Sequence, residues 1–410
     1  MRRRFLFGSS GALLIGMTGQ RRNGHQVSAT DTAGARGDST ASRRITLFLC
    51  GDVMTGRGID QILPHPGKSD LYEPYVRSAL EYVALAERSS GPLARPVGFE
   101  YVWGDALAEL ERLRPDVRIV NLETAVTSSD DAWPGKGVHY RMHPANVACL
   151  GAARLDCCVL ANNHVLDWGR TGLEETLATL HAVGLRTAGA GRNNLEAAAP
   201  AVIEVSGNGR VLVFGYGMTS SGVPAAWAAT SRRSGVNPLE ELSPRSAEAI
   251  AQHVRAHKRG GDITVLSIHW GGNWGYAISS AERDFARWLI DMAAVDVVHG
   301  HSSHHAKGIE VYRDKPILYG CGDLLNDYEG ISGHEEYRSE LGLMYFAALD
   351  SASGKMSQLT LVPTRMHRLS VNRATEDEAA WLMAALNREG RRLGTRVEMQ
   401  SDHTLAVRWS

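Results

Sequence analysis

Carboxylate, amide and imidazole groups recur directly after short apolar runs at five places in this 410-residue chain. These are Gly51-Asp52, Asn121-Leu122-Glu123, Asn162-Asn163-His164, His269-Trp270-Gly271 and Gly300-His301-Ser302-Ser303-His304-His305. If the apolar runs are strands, the polar groups stand at strand ends. Oxygen and nitrogen donors supplied from several strand ends can surround a pair of cations, which no single helix or hairpin can do. The pattern predicts a metal-dependent hydrolytic site or the descendant of one.

Each block suggests a role. Asp52, where an apolar run gives way to a loop, is placed to ligate a cation, and Arg57 shortly after has the paired donors that hold an anionic group. Asn121 and Glu123 share one face of an extended segment, so Glu123 can bridge metals while Asn121 orients a neighbour. The amide oxygen of Asn163 can complete a metal shell, with Asn162 behind it. His164 can protonate a leaving oxygen while Asp167 fixes its tautomer. His269, His301 and His304 complete the set. With 16 histidines in the chain, isolated ones signify little, but several at the ends of two predicted strands, beside Gly271-Gly272 and Gly300, are specific. His299 and His305 stay outside the ligand set. The acids of the loop at 320–329, Asp323 among them, either hydrogen-bond the ligating histidines from outside or cap a turn.

The elements that must carry these groups follow from the hydrophobic pattern. From residue 44 onward, apolar runs of strand length alternate with helical stripes, which predicts an α/β domain. Strands are expected at 44–50, 116–120, 156–160, 263–268 and 295–298, and helices at 105–113, 172–183, 244–257 and 281–294. Residues 201–205 and 211–214 flank Gly207-Asn208-Gly209 as a hairpin. Residues 216–244, rich in Gly, Ser, Pro and Ala without a clear period, read as a surface insertion placed to cover the site. A capping box at Thr375-Glu376-Asp377-Glu378 opens a last helix. The expected organisation is a signal and linker over 1–43, a main domain over 44–365, and a C-terminal helix and tail over 366–410 packed on it.

Composition sets bounds. A formal net charge of −1 and 22% charged residues favour neither nucleic acid nor an anionic surface as partner. The first 44 residues nevertheless hold eight arginines against two aspartates. Arg2-Arg3-Arg4-Phe5-Leu6 followed by a weakly apolar run resembles a twin-arginine export signal, too short and Gly-rich for a comfortable membrane span. That predicts a periplasmic or cell-surface protein, anchored if the signal is uncleaved. Five cysteines, an odd number and several within apolar runs, fit buried thiols rather than a disulfide framework. Export of an already folded, metal-loaded chain would need no bridges.

Taken in order, these blocks resemble the bacterial capsule synthesis family of the CapA type, which is itself similar to calcineurin-like metallophosphatases. The resemblance spans about residues 44–330 and rests on Gly51-Asp52-Val53-Met54 with Gly56-Arg57, Asn121-Leu122-Glu123-Thr124, Asn162-Asn163-His164 with Asp167 and Gly169, His269-Trp270-Gly271, Gly300-His301 with His304, and Tyr319 with Gly322. It implies a four-layered α/β/β/α sandwich with Asp52, Glu123, Asn163, His269, His301 and His304 around one or two divalent ions of the manganese, iron or zinc kind. There are departures. Metallophosphatases usually carry a histidine where this chain has Met54 and a bridging aspartate where it has Glu123, and their last two histidines are one residue closer than His301 and His304. Asp323-Leu324 stands where capsule proteins have Asn-Phe.

The resemblance implies an exported hydrolase-like protein acting in synthesis, release or anchoring of an anionic envelope polymer such as poly-γ-glutamate, alongside envelope biosynthesis proteins. Its substrate is a polymer or small anion, and the scissile bond a phosphoester or an amide. The alternative, favoured by Met54, is a non-catalytic assembly factor that grips polymer without turnover.

Overall fold

Alternation along the first strand, Arg44–Val53, decides the layering of the molecule. Ile45, Leu47 and Leu49 point into one apolar layer and Phe48 and Cys50 into another, because successive side chains leave a strand on opposite faces. Both faces are therefore buried. The computed structural model describes residues 44–410, so the expected export signal and linker over 1–43 lie outside the described residues.

The first strand sits inside a ten-stranded sheet whose main path runs Thr395–Met399, Leu405–Trp409, Met356–His367, Leu341–Asp350, Arg44–Val53, Val117–Leu122, Cys157–Val159, Arg186–Ala188. The last four of these are mutually parallel. A second, six-stranded sheet runs Ile309–Tyr312, Lys315–Leu318, Val297–His301, Ile263–His269, Gly209–Gly217, Ala201–Val205. Ile45, Leu47, Val117, Ile119, Cys157 and Val159 of the first sheet meet Val211, Val213, Ile263, Val265 and Val297 of the second in one core between the sheets. On the outer side of the first sheet lie Leu80–Ser90, Asp105–Leu113 and Gly169–Ala182, burying Val83, Leu110 and Leu177. On the outer side of the second lie Pro244–His257 and Ser280–Ala293, burying Ile250, Val254, Phe285 and Leu289. The result is a four-layered α/β/β/α sandwich. The helix Glu376–Gly390 opens on the capping box at Thr375, and the two strands after it close the edge of the larger sheet.

A bulge at Gly51 matters more than any helix. Pairing with Val117–Leu122 runs Cys50 against Val120 and then Asp52 against Asn121, so Gly51 is an extra residue. One extra residue reverses the phase of a strand. Without it Asp52 would follow Phe48 and Cys50 toward the helices; with it, Asp52 joins Asn121 in the layer between the sheets. Only glycine fits here, because a Cβ at Gly51 would lie 1.8 Å from the Gly322 carbonyl oxygen. That carbonyl accepts the Asp52 amide at 2.9 Å, tying on the short strand Asp323–Leu325. Residues 320–329, expected as a loop, thus include a strand.

Residues 216–244 also differ from expectation. They are not a loose cover: Val223, Trp227 and Val236 are buried in the first core, and Trp227 meets Trp133 at 5.4 Å between ring centroids. The turn at Thr219–Ser221 is fixed to a strand end, with Ser221 Oγ donating to the His269 carbonyl at 2.7 Å.

Gly51→Ala is expected to lower unfolding stability by about 3 kcal/mol, as overpacking against backbone does. A denaturant titration checks this, and stability within experimental error of wild type would contradict the tight bulge.

Candidate metal centre

The layer between the sheets is apolar along most of its length and polar at one end. In the strand Ile263–His269, Ile263 and Val265 fill the core and the next two side chains on that face are Ser267 and His269. In Val297–His301 the same face carries Val297, then His299 and His301. His269 and His301 are register partners across the parallel pair. Opposite them stand Asp52 and Asn121 of the first sheet, with Glu123 immediately beyond its strand end.

The structure brings these residues within reach of one another. Ligand atoms of Asp52, His269 and His301 lie within 4.8 Å of one another, as do those of Asp52, His304 and Asp323. Asn163 Oδ1 is 3.1 Å from His269 Nε2, and Glu123 Oε1 is 3.8 Å from the same nitrogen. Asn121 Nδ2 donates to Asp52 Oδ1 at 2.7 Å, and Asn162 Nδ2 donates to Asn121 Oδ1 at 3.0 Å, so the two amides hold the aspartate in sequence. All the sequence-proposed ligands therefore gather at one end of the sandwich. Asp323, expected to support the histidines from outside, lies in the same group.

Proton counting shows how the imidazoles are set. His299 Nε2 faces the Cys50 carbonyl oxygen at 2.8 Å, and a carbonyl only accepts, so His299 carries its proton there. Its Nδ1 then accepts from Ser267 Oγ at 3.0 Å, and Ser267 accepts from His301 Nε2 at 2.8 Å. His301 Nδ1 is left as a bare lone pair facing the centre. His269 presents Nδ1 to that lone pair at 2.8 Å and Nε2 to the Asn163 oxygen at 3.1 Å. With the Asn163 oxygen turned to it, a neutral imidazole has one proton and cannot serve both. The imidazolium could, but burial and the neighbouring His164 and His304 push the His269 pKa well below its ordinary value, and burial does the same to His301.

The carboxylates show the same deficit. Taken as ionised acceptors, Asp52 Oδ2 and Glu123 Oε2 are buried with no donor among the described residues. Burial and the adjacent Asp323 charge raise Asp52 to about 7, and burial together with Asp52 raises Glu123 well above the usual carboxylate range. Without a cation the two carboxyl groups share a proton across their facing oxygens, and as bare buried anions they would be costly. A divalent cation would satisfy the carboxylates and both facing lone pairs, and carboxylate, imidazole and amide oxygen are the donors such ions take. The residues present fit a divalent metal.

His164 stands beside this group. Its Nδ1 donates to Asp167 Oδ2 at 2.6 Å, and its Nε2 points toward Glu123 Oε1 at 3.7 Å. Burial lowers the imidazole pKa to about 4 against the upward pull of Asp167. Lys136 was not singled out from sequence. Its ammonium forms an ion pair with Asp167 Oδ1 at 2.6 Å and donates to the Val138 carbonyl at 3.0 Å, which brings a half-buried cation to the mouth of the site. A lysine between two glycines in an aperiodic loop was the only available signal. A cavity of about 230 Å³, lined by Asn273, Trp274, Tyr328 and His334, opens on His304.

Arg57 corrects an expectation. It is buried, with Nε and Nη2 on Asp327 and Nη1 on Glu73 and Tyr82 at 3.0 Å. Its guanidinium lies 3.8 Å from the Tyr82 ring centroid and 4.3 Å from that of Tyr140. Its donors are turned to protein acids and Tyr82 rather than to the centre. It locks the segment after Asp52 to Glu73 and Asp327, two acids whose proximity nothing in the sequence announced.

An α/β/β/α sandwich with carboxylate, amide and imidazole groups at the strand ends of both sheets defines the structural class of this protein. Within it, the chain belongs to the bacterial capsule synthesis protein family PGA_cap, whose model matches residues 46–328. It is 48% identical over 364 residues, 88% of this chain and 96% of the relative, to a Mycobacterium tuberculosis protein named "Probable polyglutamine synthesis accessory protein". It is 24% identical to the capsule biosynthesis protein CapA of Bacillus anthracis, over 70% of this chain and 61% of that one. The PGA biosynthesis protein CapA of Bacillus subtilis is similar at 24%, over 69% and 63%. A phosphatase of Mycoplasma pneumoniae aligns at a TM-score of 0.42 and 10% identity over 78% of this chain and 93% of its own, too loose a match to bear on chemistry.

Ser267→Ala removes the proton relay that bares His301 Nδ1. Affinity for a divalent cation is expected to fall roughly tenfold to a hundredfold with the fold retained, as when other supporting hydrogen bonds of metal ligands are lost. Calorimetric titration checks this, and unchanged affinity would contradict the relay.

Proposed function

We propose that this protein is an exported, metal-dependent hydrolase of the capsule synthesis family, acting on an anionic envelope polymer of the poly-γ-glutamate kind during its synthesis, release or anchoring. The observation that carries the reading is the pair of buried oxygens that no donor reaches among the described residues, Asp52 Oδ2 and Glu123 Oε2, set beside His269, His301 and the Asn163 amide. An assembly factor that only gripped a polymer would have no use for that deficit.

Asp52, Glu123, Asn163, His269, His301 and His304 would hold the metal. A divalent cation supplies Lewis acidity and a more acidic water there. The chain's own groups do the rest. Asp167 and Lys136 fix the His164 ring so that Nε2 faces the centre. An anionic group entering opposite Nε2 raises the proton affinity of the imidazole, which then carries a proton to a leaving oxygen or nitrogen. Lys136 contributes positive charge on the side where an anionic chain would enter, the role that Arg57 cannot fill. Membership of the family and the names of the relatives support polymer biosynthesis as the setting.

Purified full chain is expected to hold manganese, iron or zinc in stoichiometric amount and to turn over a phosphodiester or poly-γ-glutamate. His164→Ala should reduce turnover by about a hundredfold or more while the metal remains. Metal-free, inactive protein that still binds polyglutamate would establish the assembly factor instead. For export, the protein should reach the far side of the inner membrane only with Arg2 and Arg3 intact, and cytoplasmic retention of the intact chain would contradict that part.

A further inference from the structure

Asp323 reads from sequence as a hydrogen-bonding support, but the backbone gives it a more direct position. The strand Asp323–Leu325 lies parallel to the end of Arg44–Val53, with Asp323 the register partner of Asp52. Hydrogen bonds from the Asp52 amide to the Gly322 carbonyl at 2.9 Å and from the Met54 amide to the Leu325 carbonyl at 2.8 Å hold it there. Register partners in a parallel pair present their side chains to the same face. Two carboxylates, 0% and 4% exposed, therefore stand side by side in the layer between the sheets.

Their protein partners do not balance them. Asn121 donates to Asp52 Oδ1 at 2.7 Å and Asn326 to Asp323 Oδ2 at 2.9 Å, both neutral amides. The one basic group between the carboxylates is His304, whose Nδ1 is 2.9 Å from Asp323 Oδ1 and 3.9 Å from Asp52 Oδ2. Asp52 Oδ2 itself has no donor. These separations are those of atoms that share one cation, where neighbouring ligands about 2.1 Å from an ion lie roughly 3 Å apart.

Met54 makes the same point from the other side. It follows Asp52 on its own strand's exit but offers only a buried thioether, 3.8 Å from the Tyr328 hydroxyl. The donor that this position does not offer can come instead from Asp323 on the neighbouring strand. The two groups that share Asp52 also differ in kind: Asp52, His269 and His301 are nitrogen-rich, whereas Asp52, Asp323 and His304 are oxygen-rich.

We propose that Asp323 is itself a cation ligand, forming with Asp52 and His304 a second, oxygen-rich site for a hard divalent cation of the manganese or magnesium kind. Asp52 is common to this site and to the nitrogen-rich one at His269 and His301. The inference rests on the reading that the centre takes divalent metal, and adds the number of ions, a ligand and a preference.

The test uses the full chain and Mn2+, followed by equilibrium titration and electron paramagnetic resonance. Wild type is expected to bind two Mn2+ with a spin-coupled signal. Asp323→Ala should bind one, with the isolated six-line spectrum, and remain folded by circular dichroism. Asp323→Asn can still accept a hydrogen bond from His304 but loses the charge, and should bind the second Mn2+ at least tenfold more weakly. An Asp323→Asn protein with wild-type affinity and coupling would overturn the proposal, since hydrogen bonding would then suffice. Wild type that binds a single divalent ion overturns the proposal while leaving the metal-dependent reading intact. Wild type that binds no manganese, iron or zinc overturns both.

Discussion

The phase of a few strands governs everything at this site. Side chains alternate along a strand, so the face that fills the core with Ile263 and Val265 must also carry Ser267 and His269 if the strand continues straight. The same holds for Val297, His299 and His301. The first sheet meets this polar end only because the bulge at Gly51 turns Asp52 inward beside Asn121. A strand without the bulge would send that carboxylate toward the helices, and the group would keep Glu123 and Asp323 but lose Asp52, the acid common to both clusters.

Such an arrangement is expensive in isolation. Burying a charge without a partner costs several kcal/mol even after relaxation, and here Asp52, Glu123 and Asp323 are buried together. The apolar layers on both faces of each sheet hold the strands in register against that repulsion. Asn121, Asn162, Ser267 and His299 add directional hydrogen bonds that orient Asp52 and His301. Fixed geometry of this sort is what a metal centre needs, since its ligands cannot be repositioned during a reaction without cost.

Much of this was legible in the sequence, for identifiable reasons. The helices Asp105–Leu113 and Pro244–His257 have apolar stripes bounded by turn or cap signals, and they occur where the pattern sets them. Strand ends were visible because an apolar run followed by Asp, Asn or His is abrupt. What escaped was long-range pairing. Asp323–Leu325 is three residues long beside Asn326 and Asp327, and its identity as a strand comes from an edge far away in the chain. The expected role of Arg57 failed because guanidinium donors say nothing about which acids will meet them, and Glu73 and Asp327 do. Residues 216–244 have no period because short turns and tight contacts, rather than a regular element, pack Trp227 and fix Ser221 to the His269 strand.

The most direct measurement is the anomalous difference density of a crystal of the full chain grown with Mn2+. A peak is expected at roughly 2.0–2.6 Å from Asp52 Oδ2, with His269 or His301 and Glu123 also in its coordination sphere. A clean map with no peak there, in which Asp52 and Glu123 instead share a proton across their facing oxygens, would contradict the convergence of these strand ends on a common cation.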